Sequence, residues 1–296
     1  MSASDGMVGK TCIVTGASRG IGFHTARALV LKGADVVLIG HHRGRGERAL
    51  HRIRDATEAE GAVARGAASF SLVDLSVQAE IRAFAESFRG EHDRLDVLVN
   101  NAGGFFFDRR ESADGIEMTF ALNHLNYFLL TNLLLDLLKG TGGERAEESA
   151  RTVNVASDAH RDARIHFDDL QFETGYSGRE AYNQSKLANV LFTYELDRRL
   201  RRDRATVNAL HPGFVNTGIA NDHWLTGPVL SLIHFFFAKS PEAGAETPIY
   251  LASSPEVEGM SGKYFIDREP VPSAPASYDE QTARRLWEIS EEMTGL

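Results

Sequence analysis

Cysteine is nearly absent. The 296-residue chain carries one, Cys12. No disulfide framework can form within it, which suits a reducing compartment and gives a cytoplasmic protein as the expectation. Cys12 lies in an apolar run and reads as a small packed hydrophobe. The opening MSASDGMVGK has no apolar core, so no signal peptide is visible. Long hydrophobic runs are missing as well. Stretch 120–138 is interrupted by Asn123, His124, Asn126, Thr131, Asn132 and Asp136. Stretch 224–238 is shorter than the roughly 20 residues a membrane-spanning helix needs. No transmembrane anchor is expected. Positive charge is in deficit, with 32 Lys+Arg against 41 Asp+Glu and a net charge of −9. That balance argues against nucleic acid as a partner, which calls for a basic face. There is no short-period repeat and no linker rich in Pro, Gly or Ser. His160, His166, Asp168 and Asp169 have a spacing that resembles no metal site, so no metal is expected. What is present is an ordinary globular mixture, 43% hydrophobic, read as one domain over residues 1–296.

Short apolar runs alternate with helical patterns. Runs 11–16, 35–40, 68–75, 95–100, 151–157, 206–213 and 262–267 read as strands. Segments 21–32, 46–60, 78–88, 117–139, 182–202, 241–253 and 279–293 read as helices, with 117–139 a single long buried one. Such alternation predicts an α/β fold: a three-layer, doubly wound parallel sheet of about seven strands, covered on both faces. Two segments break the rhythm. Segment 158–181 is an enlarged polar loop before a helix. Segment 216–240 is read as a substrate lid, because long excursions at strand ends of such folds tend to be functional.

The first strand runs into TGASRGIG, with Gly16, Gly20 and Gly22 just before a helix. Glycines there let backbone approach a pyrophosphate, and a helix N-terminus offers free N–H groups. A tight turn would use glycine too, but the strand–turn–helix context favours nucleotide binding and a Rossmann-type fold. An NAD site usually has an acid at the end of the second strand. Here that end reads Gly40, His41, His42, Arg43. Arg19, Arg43 and His41 suit a 2′-phosphate, so NADP(H) is expected over NAD(H).

Four further strings fall at strand ends or helix starts: Asp74-Leu75, NNAG (100–103), YNQSK (182–186) and HPG (211–213). With TGASRGIG, the chain resembles the short-chain dehydrogenase/reductase family. FALNHLNYFLLTNLLL, RIHFDDLQ, SKLANVLFTYEL, SGKYFID and ARRLWEISE make it most similar to the retinol dehydrogenase branch, and the resemblance covers about residues 8–296. It implies a pyrophosphate site on Gly16, Ser18, Gly20, Ile21 and Gly22. It sets Asp74 and Leu75 beside adenine, and Asn101, Ala102 and Gly103 along the adenosine side. Pro212, Gly213, Val215 and Thr217 would meet the nicotinamide end. Family members often pair through the helices that here span 117–139 and 182–202, so a homodimer is expected.

Tyr182 and Lys186, at i and i+4, share one helix face. A neighbouring ammonium, together with the charge of an oxidised nicotinamide, is expected to favour the phenolate of a side chain whose ordinary pKa is near 10. The resemblance makes Tyr182 the general acid/base, sets Ser157 on the reacting oxygen, has Lys186 also touch the cofactor, and gives Asn123 a water that links Lys186 to bulk. The expected reaction interconverts a carbonyl and an alcohol. Phe105 to Phe107 and the apolar run 224–237 suggest a lipophilic substrate of retinoid, steroid, fatty or polyketide type. Two other readings stay open at this stage: a non-catalytic dinucleotide sensor or scaffold on the same fold, and an epimerase using the same site.

Overall fold

The computed structural model describes residues 6–59, 66–141, 149–201, 203–213 and 239–296. Its order is β1 (Thr11–Thr15), α1 (Gly20–Leu31), β2 (Asp35–Gly40), α2 (Arg43–Ala59), β3 (Ala68–Leu72), α3 (Gln78–Glu91) and β4 (Val97–Asn100). A broken helix follows, ending in α4 (Asn126–Leu133) and α5 (Leu135–Thr141), and then β5 (Ala150–Val155). The remainder is α6 (Gly178–Leu200), β6 (Ala205–His211), α7 (Glu246–Ser253), β7 (Lys263–Ile266), β8 (Glu269–Val271) and α8 (Glu280–Thr294).

The strands form one sheet in the order β3-β2-β1-β4-β5-β6-β7-β8. All pairings are parallel except the last, in which β8 runs antiparallel to β7. The chain reverses its winding between β1 and β4, and a crevice opens beyond the carboxyl ends of the strands at such a switch point. Alternation along each strand feeds two cores. Ile13, Val37, Ile39 and Leu98 face α3, α4 and α6. Cys12, Val14, Val36, Leu38, Val97 and Val99 face α1, α2 and α7. The expected sheet of about seven strands is present, with an eighth, β8, added antiparallel at its edge. β8 is a three-residue edge strand containing Pro270, a residue tolerated only where no ladder bond is required.

The single helix expected over 117–139 is broken. A short turn, Met118–Phe120, leads into a π turn over Ala121–Leu125, and the chain breaks again at Leu134 before α5. Glu117 caps the first turn, its carboxylate accepting from the Thr119 and Phe120 N–H groups at 2.8 and 2.7 Å. A π turn adds a residue to the helical repeat and so re-aims the side chains it carries, here Asn123.

Polar side chains cross the core in a chain. Asn100 Nδ2 donates to Thr131 Oγ1 and Asn154 Oδ1, both at 2.9 Å, and Asn154 Nδ2 donates to Thr193 Oγ1 at 2.9 Å. These bonds tie α4 and α6 to the two central strands, and because they are buried each one is worth more than its surface equivalent.

The face on which a homodimer was expected is covered by this chain itself. The amphipathic α8 lays Trp287 against Phe192 at 5.7 Å and Phe128 at 4.8 Å between ring centroids, with the Arg199 guanidinium 4.0 Å from the indole. At the other end of the seam Ser290 Oγ meets His124 Nε2 at 3.0 Å. α6 is buried along nearly its whole length. Pairing through that seam would first need α8 displaced. Among the described residues, no helix is long and apolar enough to cross a membrane. Truncating the buried indole by Trp287→Ala should lower unfolding free energy by about 3–5 kcal/mol. Urea titration with α8 otherwise intact measures this, and a loss under about 1 kcal/mol would show that the seam is not packed as described.

Candidate active site

The glycine turn and the end of β4 are locked together. Thr15 Oγ1 accepts from the backbone N–H of Asn101 at 2.8 Å and of Ala102 at 2.9 Å. Asn101 Nδ2 returns a bond to Thr15 O at 2.7 Å. Gly16 and Gly20 adopt φ of +65° and +59°, the left-handed region that favours glycine. A Cβ at Gly16 would sit 2.9 Å from Ala102 Cα, and one at Gly22 would sit 2.5 Å from Asn101 Nδ2. Part of the glycine requirement is thus internal: these residues let β1 close onto β4. Asn101, expected along the adenosine side, spends its amide on this closure.

α1 begins without a side-chain cap and without an acid in its first turn. Its N-terminal N–H groups and positive dipole end point beyond β1. Ser18 lies against Gly40, where a Cβ would be 3.4 Å from its Oγ, so the glycine turn and the end of β2 are neighbours. Arg19, His41 and Arg43 are all exposed there, and α2 likewise has no acid in its first turn. A backbone cradle with exposed cations beside it fits a dinucleotide whose ribose carries a phosphate. Ile21 and Leu75 are buried in the core. Asp74 accepts from Ser76 N and Oγ at 2.9 and 2.7 Å, shaping the turn before α3.

The second half of the site gathers at the ends of β4 and β5. Lys186 is 5% exposed and donates from Nζ to Val155 O at 3.1 Å. Its Nζ stands 5.6 Å from the centroid of the Tyr182 ring. Burial lowers its pKa from 10.5 to about 8. The Ser157 hydroxyl hydrogen-bonds the Tyr182 phenol, which pulls the phenol pKa down, but burial outweighs it and the net shift is upward. The amine is itself a weakened cation here, and desolvation of the phenol dominates.

Asn123 is fully buried in the π turn. Its Oδ1 accepts from Gly104 N at 2.8 Å, and its Nδ2 donates to Gly104 O at 3.0 Å and Ser185 Oγ at 3.0 Å. Both amide donors are occupied by protein, so a water at this side chain has only the second lone pair of Oδ1 to use. Gly103 lies between this amide and Lys186. A Cβ there would be 3.1 Å from Asn123 Oδ1 and 3.7 Å from Lys186 Nζ.

An aromatic wall stands over the phenol. The rings of Phe105 and Tyr182 are 5.5 Å apart, and Phe107 meets Phe105 edge-on at 4.9 Å. The enlarged loop holds this wall: Tyr176 OH donates to Phe106 O at 3.0 Å, and Gln171 Oε1 accepts from Glu117 N at 3.1 Å. Pro212 and Gly213 close β6, Gly213 at φ +85° beside Lys239. Val215, Thr217, the apolar run 224–237 and the expected lid lie outside the described residues. The sequence reading missed Tyr176, Gln171 and His160. His160 Nδ1 donates to Ser157 O at 2.7 Å, and its Nε2 accepts from Ala274 N at 3.0 Å. Among the described residues no cluster of three metal-ligating side chains occurs.

The family model for short chain dehydrogenase matches residues 10–226. The chain is 44% identical to human retinol dehydrogenase 14, over 98% of this chain and 88% of that one. It is 38% identical to human polyprenol dehydrogenase, over 97% and 86%. Among solved structures, the Pseudomonas aeruginosa RhlG/NADP active-site complex superposes with a TM-score of 0.70 at 26% identity, covering 94% of this chain and all of that one.

Burial of Lys186 has a measurable sign. An unfolded lysine is protonated up to about 10.5, the folded one only up to about 8. Between these values the folded chain holds fewer protons, so this group's contribution to stability rises with pH from 8 to 10.5, and below 8 its burial opposes folding throughout. Lys186→Met should therefore be more stable than the parent at pH 7, by on the order of 2–3 kcal/mol, with the gain shrinking above pH 8. Val155 O stays bonded in the variant, because Tyr127 OH also donates to it, at 3.3 Å. Denaturant titrations of both proteins at pH 7 and pH 10 decide this, and a variant less stable at pH 7 contradicts it.

Proposed function

This chain belongs to the short-chain dehydrogenase/reductase family, in its retinol dehydrogenase branch, and on that premise we propose that it interconverts a carbonyl and an alcohol on a lipophilic substrate with NADP(H). It is an NAD(P)-dependent oxidoreductase. The observation that carries the finer reading is the convergence of Ser157, Tyr182 and Lys186 at the ends of β4 and β5. The Ser157 hydroxyl hydrogen-bonds the phenol, and the buried amine sits beneath it.

The dinucleotide supplies or accepts the hydride when bound. Gly16, Ser18, Gly20, Ile21 and Gly22 would hold its pyrophosphate at the start of α1, with Arg19, His41 and Arg43 as counter-charges to a 2′-phosphate. Ser157 and Tyr182 share one reacting oxygen. On reduction Tyr182 passes its proton to that oxygen, and on oxidation it takes the proton back. A phenol held protonated by burial suits reduction, because it keeps the proton to be given. Lys186 stands by the phenol to restore that proton, with a pKa near the working range. Asn123 holds the turn that roofs the amine, and a water donating to its Oδ1 would extend the path outward.

The wall of Phe105 and Phe107 supports an apolar substrate. The printed names of the relatives, retinol and polyprenol dehydrogenases, agree in kind. A cytoplasmic setting suits the lone, buried Cys12. No homodimer through α4 and α6 is part of this proposal, because α8 occupies that seam.

Tyr182→Phe should lower kcat by at least about 10²-fold on a long-chain aldehyde or ketone while NADPH still binds. Full activity would end this mechanism, and NADPH binding with no turnover by the parent on a broad carbonyl panel would favour a sensor. Calorimetric titration should show NADPH bound more tightly than NADH by the parent. Replacing Arg43 by Ala should narrow that preference by roughly 10-fold, the worth of one charge-assisted bond. An unchanged ratio would make Arg43 an ordinary solvated side chain.

A further inference from the structure

His160 is fully buried in a 3₁₀ turn, Asp158–Asp162, that starts directly after Ser157. Its partners fix its chemistry. Ala274 N can only donate, so Nε2 must accept, and the bond is 3.0 Å. The ring proton then sits on Nδ1, which donates to the carbonyl of Ser157 at 2.7 Å. The His160 backbone N–H donates to the same carbonyl at 3.2 Å. The ring rests on Tyr264, 4.7 Å between centroids, which blocks its rotation from one side. A second tie runs parallel, from Arg161 Nη2 to Pro272 O at 3.0 Å. Residues 272–278 are in turn held on α6 through Ser273 Oγ and Tyr194 OH at 2.7 Å.

We propose that His160, as the neutral Nδ1–H tautomer, is a positioning residue that fixes the backbone of Ser157 and couples it to the segment 272–278. This rests on the assignment of Ser157 to the reacting oxygen. Besides the Tyr182 phenol, Ser157 Oγ has a weak local partner, accepting from Ala159 N at 3.2 Å. The position of that hydroxyl is set by the backbone at 157, whose peptide group is held from both ends: His160 binds the Ser157 carbonyl, and His211 Nδ1 accepts from Asp158 N at 3.3 Å. No charge lies on the bridge, so it transmits geometry rather than a proton. Its far end draws the C-terminal part of the chain into the catalytic scaffold, although residues 272–278 carry no group that reaches the phenol.

Two amide variants separate the two bonds. In His160→Asn, Nδ2 can take the place of Nδ1 and still donate to Ser157 O, while the bond to Ala274 is lost. In His160→Gln, Oε1 can take the place of Nε2 and still accept from Ala274 N, while the bond to Ser157 is lost. Steady-state kinetics with NADPH and a long-chain aldehyde should give His160→Gln a kcat at least roughly 10-fold below the parent, as misplacement of a reacting group does. Its KM and NADPH affinity should stay within about 2-fold of the parent. His160→Asn should recover most of that kcat even if its melting temperature falls as far. Equal kcat in the two variants, or parental kcat in His160→Gln, overturns the proposal. If His160→Gln does not fold, Ala274→Pro removes the distant N–H at a residue whose φ of −62° already suits proline. A kcat lowered at least about 3-fold at unchanged KM then supports the coupling, and an unchanged kcat overturns it. Tyr182→Phe is assayed alongside. If that variant keeps full activity the underlying mechanism fails, whereas an inactive Tyr182→Phe beside a parental His160→Gln sinks only the role of His160.

Discussion

The burial of one amine organises this structure. An ammonium withdrawn from water demands either partners or a lowered pKa, and Lys186 shows both. Among the described residues its acceptor is the carbonyl of Val155, at the end of β5. To reach it, α6 must cross close under the strand end, which fixes Tyr182 one turn earlier on the same face. The roof over the amine must be thin, and Gly103 provides this: any larger residue would press on Asn123 and approach Nζ. Asn123 can meet the roof only because the helix that carries it takes a π turn there. Lysine, glycine, asparagine and π turn are consequences of one electrostatic requirement.

A second constraint acts on the cofactor side. β1 and β4 are neighbours in the sheet but lead to helices on opposite faces, so their ends tend to splay. Thr15 and Asn101 hold them together through three hydrogen bonds, and Gly16 and Gly22 leave room for it. The crevice therefore has one rigid lip. The other lip, after β2, is built of exposed cations at the start of α2, where His42 Nδ1 accepts from Arg45 N at 3.4 Å. In the proposed reading, the rigid lip would set where a pyrophosphate lies and the exposed lip how a ribose phosphate is received, so affinity and cofactor choice would be carried by different residues.

Much of this was legible in the sequence, for definite reasons. β2 is found at its expected bounds because fully buried parallel strands are near-continuous apolar runs closed by glycine. The catalytic helix starts four residues before its expected first residue, because Ser177 caps it from a polar loop whose composition hides the boundary. β8 was invisible, since three residues at an edge leave no periodicity. The π turn was invisible because the polar residues of 117–139, Asn123, His124 and Asn126 among them, are buried together with the apolar ones and mark no solvent face, so a shift in helical phase leaves no trace. Tyr182, Lys186 and Ser157 could be picked out because the family resemblance marks their side chains. His160 could not, because both its partners are backbone groups, and a backbone N–H or carbonyl has no letter in the sequence. The same holds for Tyr176, which grips the carbonyl of Phe106.

The enlarged loop and the C-terminal helix can then be understood together. The loop between Ser157 and α6 braces the aromatic wall through Tyr176 and Gln171, and it places His160 where segment 272–278 can reach it. α8 covers the seam between α4 and α6 with Trp287. Each addition replaces something a smaller chain of this fold would have to obtain elsewhere: a support for the substrate wall, and a cover for two apolar helices. A second subunit could have provided that cover. Here the chain provides its own, which leaves α6 buried along most of its length within one polypeptide. The outer surface of α8 is charged, with Arg284, Glu288 and Glu292 exposed, while Glu291 turns back to accept from Trp287 Nε1 at 2.7 Å.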